Sequence, residues 1–205
     1  HCDAVQGFMK IPMKTTELYA DLISISSHKI HGIKGVGALF VKKGIRLAPI
    51  IRGGGQEKAL RSGTESVPLI AGFSAAVSAL YPNLQQAIKN AEQINSYLRE
   101  KISQLSGVTI NSKIDNYSPF ILNISVEGIR SEIMLHYLES KDIYVSSGSA
   151  CSKGAKSSVL KEFGATDKNL DTAIRISISR ETTWGDIDLL ISGIKEGKDS
   201  LIKTK

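Results

Sequence analysis

Residues 22–37 read Leu-Ile-Ser-Ile-Ser-Ser-His-Lys-Ile-His-Gly-Ile-Lys-Gly-Val-Gly. Leu22 to Ser27 is a short apolar-rich segment bounded by polar residues, the pattern of a buried strand. It ends on Ser26-Ser27-His28-Lys29, and Gly32, Gly35 and Gly37 follow. A lysine at that place is held where an apolar sheet meets a cleft, an environment that can make an amine nucleophilic towards an aldehyde. Taken alone it reads as a solvated amine in a glycine-containing loop, the common fate of charged side chains.

Working outward, Val36 to Val41 reads as a second buried strand, and the segment before Gln6 as a third. Between Gly44 and Gly63 lies a loop-like region containing Gly53-Gly54-Gly55, followed by a helical pattern from Val67 to about Leu80. Tyr81-Pro82 makes a natural boundary. Leu84, Ala87, Ile88, Ala91, Ile94, Leu98, Ile102 and Leu105 then recur at helical spacing, with Gly107 placed to end a long amphipathic helix. Phe120, Leu122, Ile124 and Val126 alternate with polar or outward positions, as do Ile174, Ile176 and Ile178 around Arg175, the period of half-exposed strands. Helices are predicted over Ser131 to Lys141 and from Thr183 to about Ile202, the latter opened by the capping pair Thr183 and Asp186. The expected organisation is therefore α/β over residues 1–81 and a small α+β domain over 82–205.

An apolar fraction of 41% supplies a core and excludes a disordered chain. Lys and Arg outnumber Asp and Glu by 26 to 20, but they are dispersed, so no nucleic-acid groove is expected. No uninterrupted apolar run of membrane-spanning length and no signal-peptide pattern occurs, and the two cysteines, Cys2 and Cys151, have no partner at metal-ligand spacing. A cytoplasmic, reducing setting without membrane or metal is the expectation. The chain opens at His1-Cys2-Asp3-Ala4 without Met, which reads as part of a longer polypeptide.

Five blocks in order, HCDAVQ at 1–6, SSHK at 26–29, GGGQE at 53–57 with RSGT at 61–64, SSGSAC at 146–151 and IRISISR at 174–180, carry a resemblance. Together they resemble the cysteine desulfurases of the NifS/IscS type, within the class V aminotransferases. Any one block alone has an ordinary reading as a loop, cap or surface residue. The resemblance implies a pyridoxal 5'-phosphate (PLP) dependent transferase of fold type I, with residues 1–81 the end of the large, mostly parallel-sheet cofactor domain and 82–205 the small C-terminal domain.

It also implies roles. Lys29 would carry PLP covalently, Asp3 would pair with the pyridine nitrogen, and Gln6 would donate to the ring's phenolic oxygen. Ser26 and His28 would hold the phosphate. Thr64 would reach the phosphate held by the other subunit, which implies a homodimer, and Arg175 would bind the α-carboxylate of the substrate L-cysteine through its guanidinium fork. Cys151, in a Gly- and Ser-rich segment beside Lys153 and Lys156 that favour its thiolate, would take the sulfur as a persulfide and leave L-alanine. A sulfur-acceptor protein in iron–sulfur cluster assembly, thio-cofactor synthesis or tRNA thiolation is the implied partner.

The stretch from Cys151 to Val159 is shorter than the family's common pattern. The histidine stacked on the ring, a further phosphate ligand and an asparagine near the substrate have no counterpart among these residues, so this chain alone is expected to be inactive. Alternative readings are a selenocysteine lyase or another class V aminotransferase, and a non-catalytic module for dimerisation or acceptor docking. The thiol of Cys151 separates the desulfurase from transamination, which requires none.

Overall fold

The computed structural model describes residues 1–113, 115, 117–147, 158–162 and 164–201. The chain divides into two compact units, His1–Gln85 and Gln86–Lys205. Each carries its own three-stranded sheet.

In the first unit β1 (Cys2–Asp3) pairs parallel with β2 (Leu22–Ser26), and β3 (Gly37–Val41) pairs antiparallel with β2. The sheet is thus mixed, an antiparallel edge strand beside a parallel pair, a common arrangement in α/β folds. The side chains of β2 alternate. Ile23 is buried and Ile25 packs on the core, whereas Ser24 and Ser26 take the other face. The core consists of Met9, Ile30 and Phe73, with Phe8 set edge-on to Phe73 at 6.2 Å. Phe73 comes from α1 (Val67–Leu80), which starts with Pro68 in its first turn, where a missing N–H costs nothing.

Strand β3 does not have the burial expected of it. Leu39 is 48% exposed and Phe40 40%, because the apolar pattern records a surface able to be covered, and these residues have no such cover here. By length and composition the helical stretch Val67–Ser103 is also long and apolar enough to cross a membrane. It passes although no uninterrupted apolar run exists, since a mean hydropathy tolerates Ser74 and Ser78 between apolar neighbours. Of α1 only Phe73 is buried, with Ala76, Val77 and Leu80 partly buried against it, whereas Val67 and Ile70 are exposed.

In the second unit α2 (Leu84–Ser103) buries Ala87, Ile88, Ala91, Ile94, Leu98 and Ile102, the stripe read from spacing. Asn95 is also buried on that helix, and its amide donates to the Pro119 carbonyl. Arg99 donates to Asn95 Oδ1 and to the carbonyls of Ser112 and Lys113, and its guanidinium lies 4.8 Å from the centre of the Tyr117 ring. Partial burial pulls the Arg99 pKa below the usual guanidinium value. One residue therefore ties the loop before the central strand to the helix.

The sheet has the order β4 (Val108–Ile110), β5 (Ile121–Val126), β6 (Ala173–Ser177), all antiparallel. Leu122, Ile124, Val126 and Ile174 are fully buried. Helices α3 (Ser131–Glu139) and α6 (Trp184–Ser200) pack on one another, and α4 (Ser158–Glu162) and α5 (Asp167–Asp171) are single turns. Periodicity could not announce β4, α4 or α5, which are too short to show a period. The capping box at α6 forms as read. The Thr183 hydroxyl accepts from the Asp186 N–H, and the Asp186 carboxylate accepts from the Thr183 N–H, which holds that carboxyl below the usual range.

These burials predict a contrast. Ile124→Ala, which empties a site in the central strand, should cost about 3 kcal/mol, whereas Leu39→Ala on the exposed edge strand should cost under about 1 kcal/mol. Urea denaturation of the two variants measures both.

Candidate active site

Strands β1 and β2 run parallel, so they finish at the same edge, and the carboxyl edge of parallel strands is where α/β folds place ligands. Asp3 ends β1 directly beside Ser24 of β2, and Ser26 follows two residues on, so the three share the polar face of the pair. Asp3 is exposed, and its Oδ1 accepts the Val5 N–H at 3.0 Å. On the same face the His1 ring and the Ser24 hydroxyl are hydrogen-bonded at 2.8 Å. Gln6 stands exposed in the turn after β1, its Oε1 3.5 Å from the Lys10 ammonium.

Past Ser26 the chain enters a tight 3-10 turn, Ser27–Ile30, which carries His28 and Lys29. The Ser26 hydroxyl and His28 Nδ1 are 2.7 Å apart, so the two groups already form one polar unit. Lys29 is half-buried. The turn closes on Ser27, whose carbonyl accepts the N–H groups of His31 and Gly32 and whose own N–H donates to the Val36 carbonyl. His31 adopts the left-handed region at φ 63 to make that closure.

Ser27 is completely buried, and its hydroxyl has no hydrogen-bond partner among the described residues. A Cβ on Gly32 would come 2.2 Å from that hydroxyl and 3.1 Å from the Ser27 carbonyl. Glycine at 32 is therefore a packing requirement of the turn that presents Lys29. The sequence pattern carries no sign of this, because a close approach between two residues of one loop leaves no periodic trace.

Thr64 is exposed at the end of the glycine-rich loop of the first unit. That loop is tied internally: the Ser62 hydroxyl donates to the Gly54 carbonyl and the Gly63 N–H to Gln56 Oε1. Glu57, Lys58 and Ala59 are successive left-handed residues at φ 48, 58 and 63, a conformation that side chains resist.

Arg175 belongs to the second unit. On β6 it is paired in register with Asn123 and bridged to Ser146 by two backbone bonds, Arg175 N–H to Ser146 O at 2.6 Å and Ser146 N–H to Arg175 O at 3.2 Å. Its Nε is buried and makes no hydrogen bond among the described residues. The bridge was not foreseen, and it anchors the chain five residues before Cys151. Cys151 itself, with Lys153 and Lys156, lies outside the described residues. Cys2 is a free, half-buried strand residue. Among the described residues no cluster of three metal-ligating side chains occurs.

Over residues 1–190 the sequence matches the class V aminotransferase family, and the chain belongs to it. Within that family it is similar to a mitochondrial cysteine desulfurase of Candida albicans, 41% identical over 99% of this chain and 42% of the relative. The cysteine desulfurase IscS of Rickettsia typhi is 39% identical over 99% of this chain and 50% of that protein. Among solved structures, a NifS-like protein superposes with a TM-score of 0.86 at 35% identity, covering 97% of this chain and 52% of that one. The NifS-like protein of Rickettsia africae does so with the same TM-score at 32% identity. The chain spans about half the length of the curated relatives it matches.

The close contact under Lys29 gives a prediction. Gly32→Ala should destabilise the first unit by about 1–3 kcal/mol through overpacking. Adding Ser27→Gly, which removes the opposing hydroxyl, should recover part of the loss, and a double-mutant cycle in urea measures the coupling.

Proposed function

We propose that the protein containing these residues is a PLP-dependent cysteine desulfurase, converting L-cysteine to L-alanine and passing the sulfur onward as a persulfide. What supports this is sequence placement in the fold: Asp3 ends β1, the hydrogen-bonded pair Ser26 and His28 stands at the end of the adjacent parallel strand, and the half-buried residue Lys29 follows in the same turn. In this reading residues 1–81 end the cofactor domain and 82–205 form the small domain.

The donor set fits PLP. Lys29 would supply the amine for its aldehyde, Asp3 a carboxylate for its pyridinium nitrogen, Ser26 and His28 two groups for its phosphate and Gln6 a donor for its phenolic oxygen, while Thr64 would serve a second subunit's phosphate in a homodimer. When bound, PLP supplies the electron sink that allows the Cβ–S bond of cysteine to break. The chain's own residues do the rest. Arg175 offers a buried Nε–H with no partner among the described residues, and an anionic carboxylate would satisfy it.

Cys151 accepts the sulfur. Its thiolate forms the S–S bond, the Cβ–S bond breaks, and the substrate carbon takes up a proton to become alanine's methyl group. The persulfide then goes to a sulfur-acceptor protein. A thiol with this task needs a reducing compartment, which the cytosol and the mitochondrial matrix both offer.

Three outcomes are expected. In a protein extended to the length of its relatives, borohydride reduction and peptide mapping should place a pyridoxyl group on Lys29, and Lys29→Ala should remove it. Cys151→Ser should keep the PLP absorbance while lowering sulfide release at least about a hundredfold. The 205-residue chain alone should release no sulfide, since a PLP site needs several groups held at once. Undiminished sulfide release by Cys151→Ser would favour the lyase reading instead.

A further inference from the structure

The second unit carries an open groove of about 590 Å³ on the outward face of α2 and the first turn of α6, lined by Lys89, Glu92, Gln93, Tyr97, Glu100 and Trp184. Nothing in the proposed desulfurase chemistry uses it. Its floor is an aromatic pair, Trp184 set edge-on to Tyr97 with centroids 5.0 Å apart. The pair is braced from outside. The Tyr97 hydroxyl donates to Asp188 Oδ1 at 2.7 Å, a bond that raises the phenol's pKa and keeps it protonated, and the Lys101 ammonium lies 5.1 Å from the centre of the Tyr97 ring.

Trp184 nevertheless remains 49% exposed, and two turns of α2 away from one another Glu92 and Glu100 hold exposed carboxylates with no ion pair among the described residues. A large aromatic packed on one side and half-open on the other is the kind of anchor that dominates protein interfaces, because that contact limits the side-chain freedom lost on binding.

We infer that this groove is a docking site for an arginine-bearing segment of a partner protein. Charge complementarity selects the occupant. Around the aromatic pair stand three carboxylates, Glu92, Glu100 and Asp188, against two ammoniums, Lys89 and Lys101, in a chain whose overall formal charge is +6. One of those ammoniums is already engaged with the Tyr97 ring. A guanidinium is flat, so it stacks on the free indole face and still directs N–H groups at a neighbouring carboxylate, which an ammonium cannot do at once. Phosphate-bearing partners meet unpaired carboxylates and are repelled.

Trp184 is the chain's one tryptophan, so its emission reports this groove and no other place. The 205-residue chain is titrated with the peptide Ac-Gly-Arg-Gly-Arg-Gly-NH2 and with its citrulline counterpart, which keeps the shape and lacks the charge. A saturable change in Trp184 emission is expected with the arginine peptide. The citrulline peptide should bind about tenfold more weakly, and the Glu92→Gln/Glu100→Gln variant should weaken the arginine peptide about threefold to tenfold. Circular dichroism confirms that these exposed substitutions leave the fold intact.

Equal responses to the two peptides, or a linear change without saturation, would overturn the inference. So would arginine binding indifferent to the double substitution, or tighter binding of a phosphoserine peptide of the same length. An emission shift driven by protein concentration alone would assign the groove to a second copy of the chain and overturn it as well. None of these readouts involves PLP or sulfide, so the inference stands or falls apart from the proposed desulfurase activity.

Discussion

Parallel pairing of two short strands is the constraint on which the site of the first unit depends. A hairpin would have brought the end of β1 to the beginning of β2, and Asp3 would then lie far from the turn that carries Lys29. Because the pair is parallel, both strands deliver their carboxyl ends to one edge, and the polar face of each continues past the sheet into the residues that follow. Asp3, Ser24 and Ser26 share that face, and His28 closes on Ser26. The apolar face does the complementary work. Ile23 and Ile25 on that side give the pair its place in the core, with Ile30 at the far end of the turn packed beside Met9 and Phe73.

The turn itself shows how little freedom the site has. Three backbone hydrogen bonds converge on Ser27, its side chain is sealed from water, and Gly32 approaches so closely that no side chain fits between them. A buried hydroxyl left unpaired costs stability. His31 is held in the left-handed region for the sake of the same closure. Both costs are met in a stretch of a few residues, and their common effect is to fix the backbone of the turn that carries Lys29.

The second unit follows different logic. Its sheet is antiparallel, its centre is the fully buried run of β5, and its polar chemistry sits where strands meet loops. Arg175 is held by main-chain bonds to Ser146 on one side and paired with Asn123 on the other, so its backbone is fixed, while its buried Nε has no hydrogen-bond partner among the described residues. A pairing made by backbone atoms is indifferent to side-chain identity, which is why residue 146 gave no sign of it. The same unit also carries its aromatic pair on an outer face, where Tyr97 and Trp184 are contributed by helices far apart in the chain.

Much was legible before any coordinates. The stripe of α2, the extent of α1, the capping box of α6 and the alternation in β5 and β6 all follow from local period and cap chemistry, and local signals survive folding because they are set by neighbours in the chain. The ordered blocks from HCDAVQ to IRISISR pointed to the family, since several motifs in sequence constrain one another as no single one does. What tertiary structure alone decided were relations between residues distant in sequence or too close to leave a period. These are the register that sets Asp3 beside Ser24, the void-free contact of Ser27 with Gly32, the bridge from Ser146 to Arg175 and the meeting of Tyr97 with Trp184. The exposure of β3 belongs with them. Leu39 and Phe40 are apolar whether or not anything packs on them, so hydrophobicity states what a strand can bury and only the packing states what it does bury.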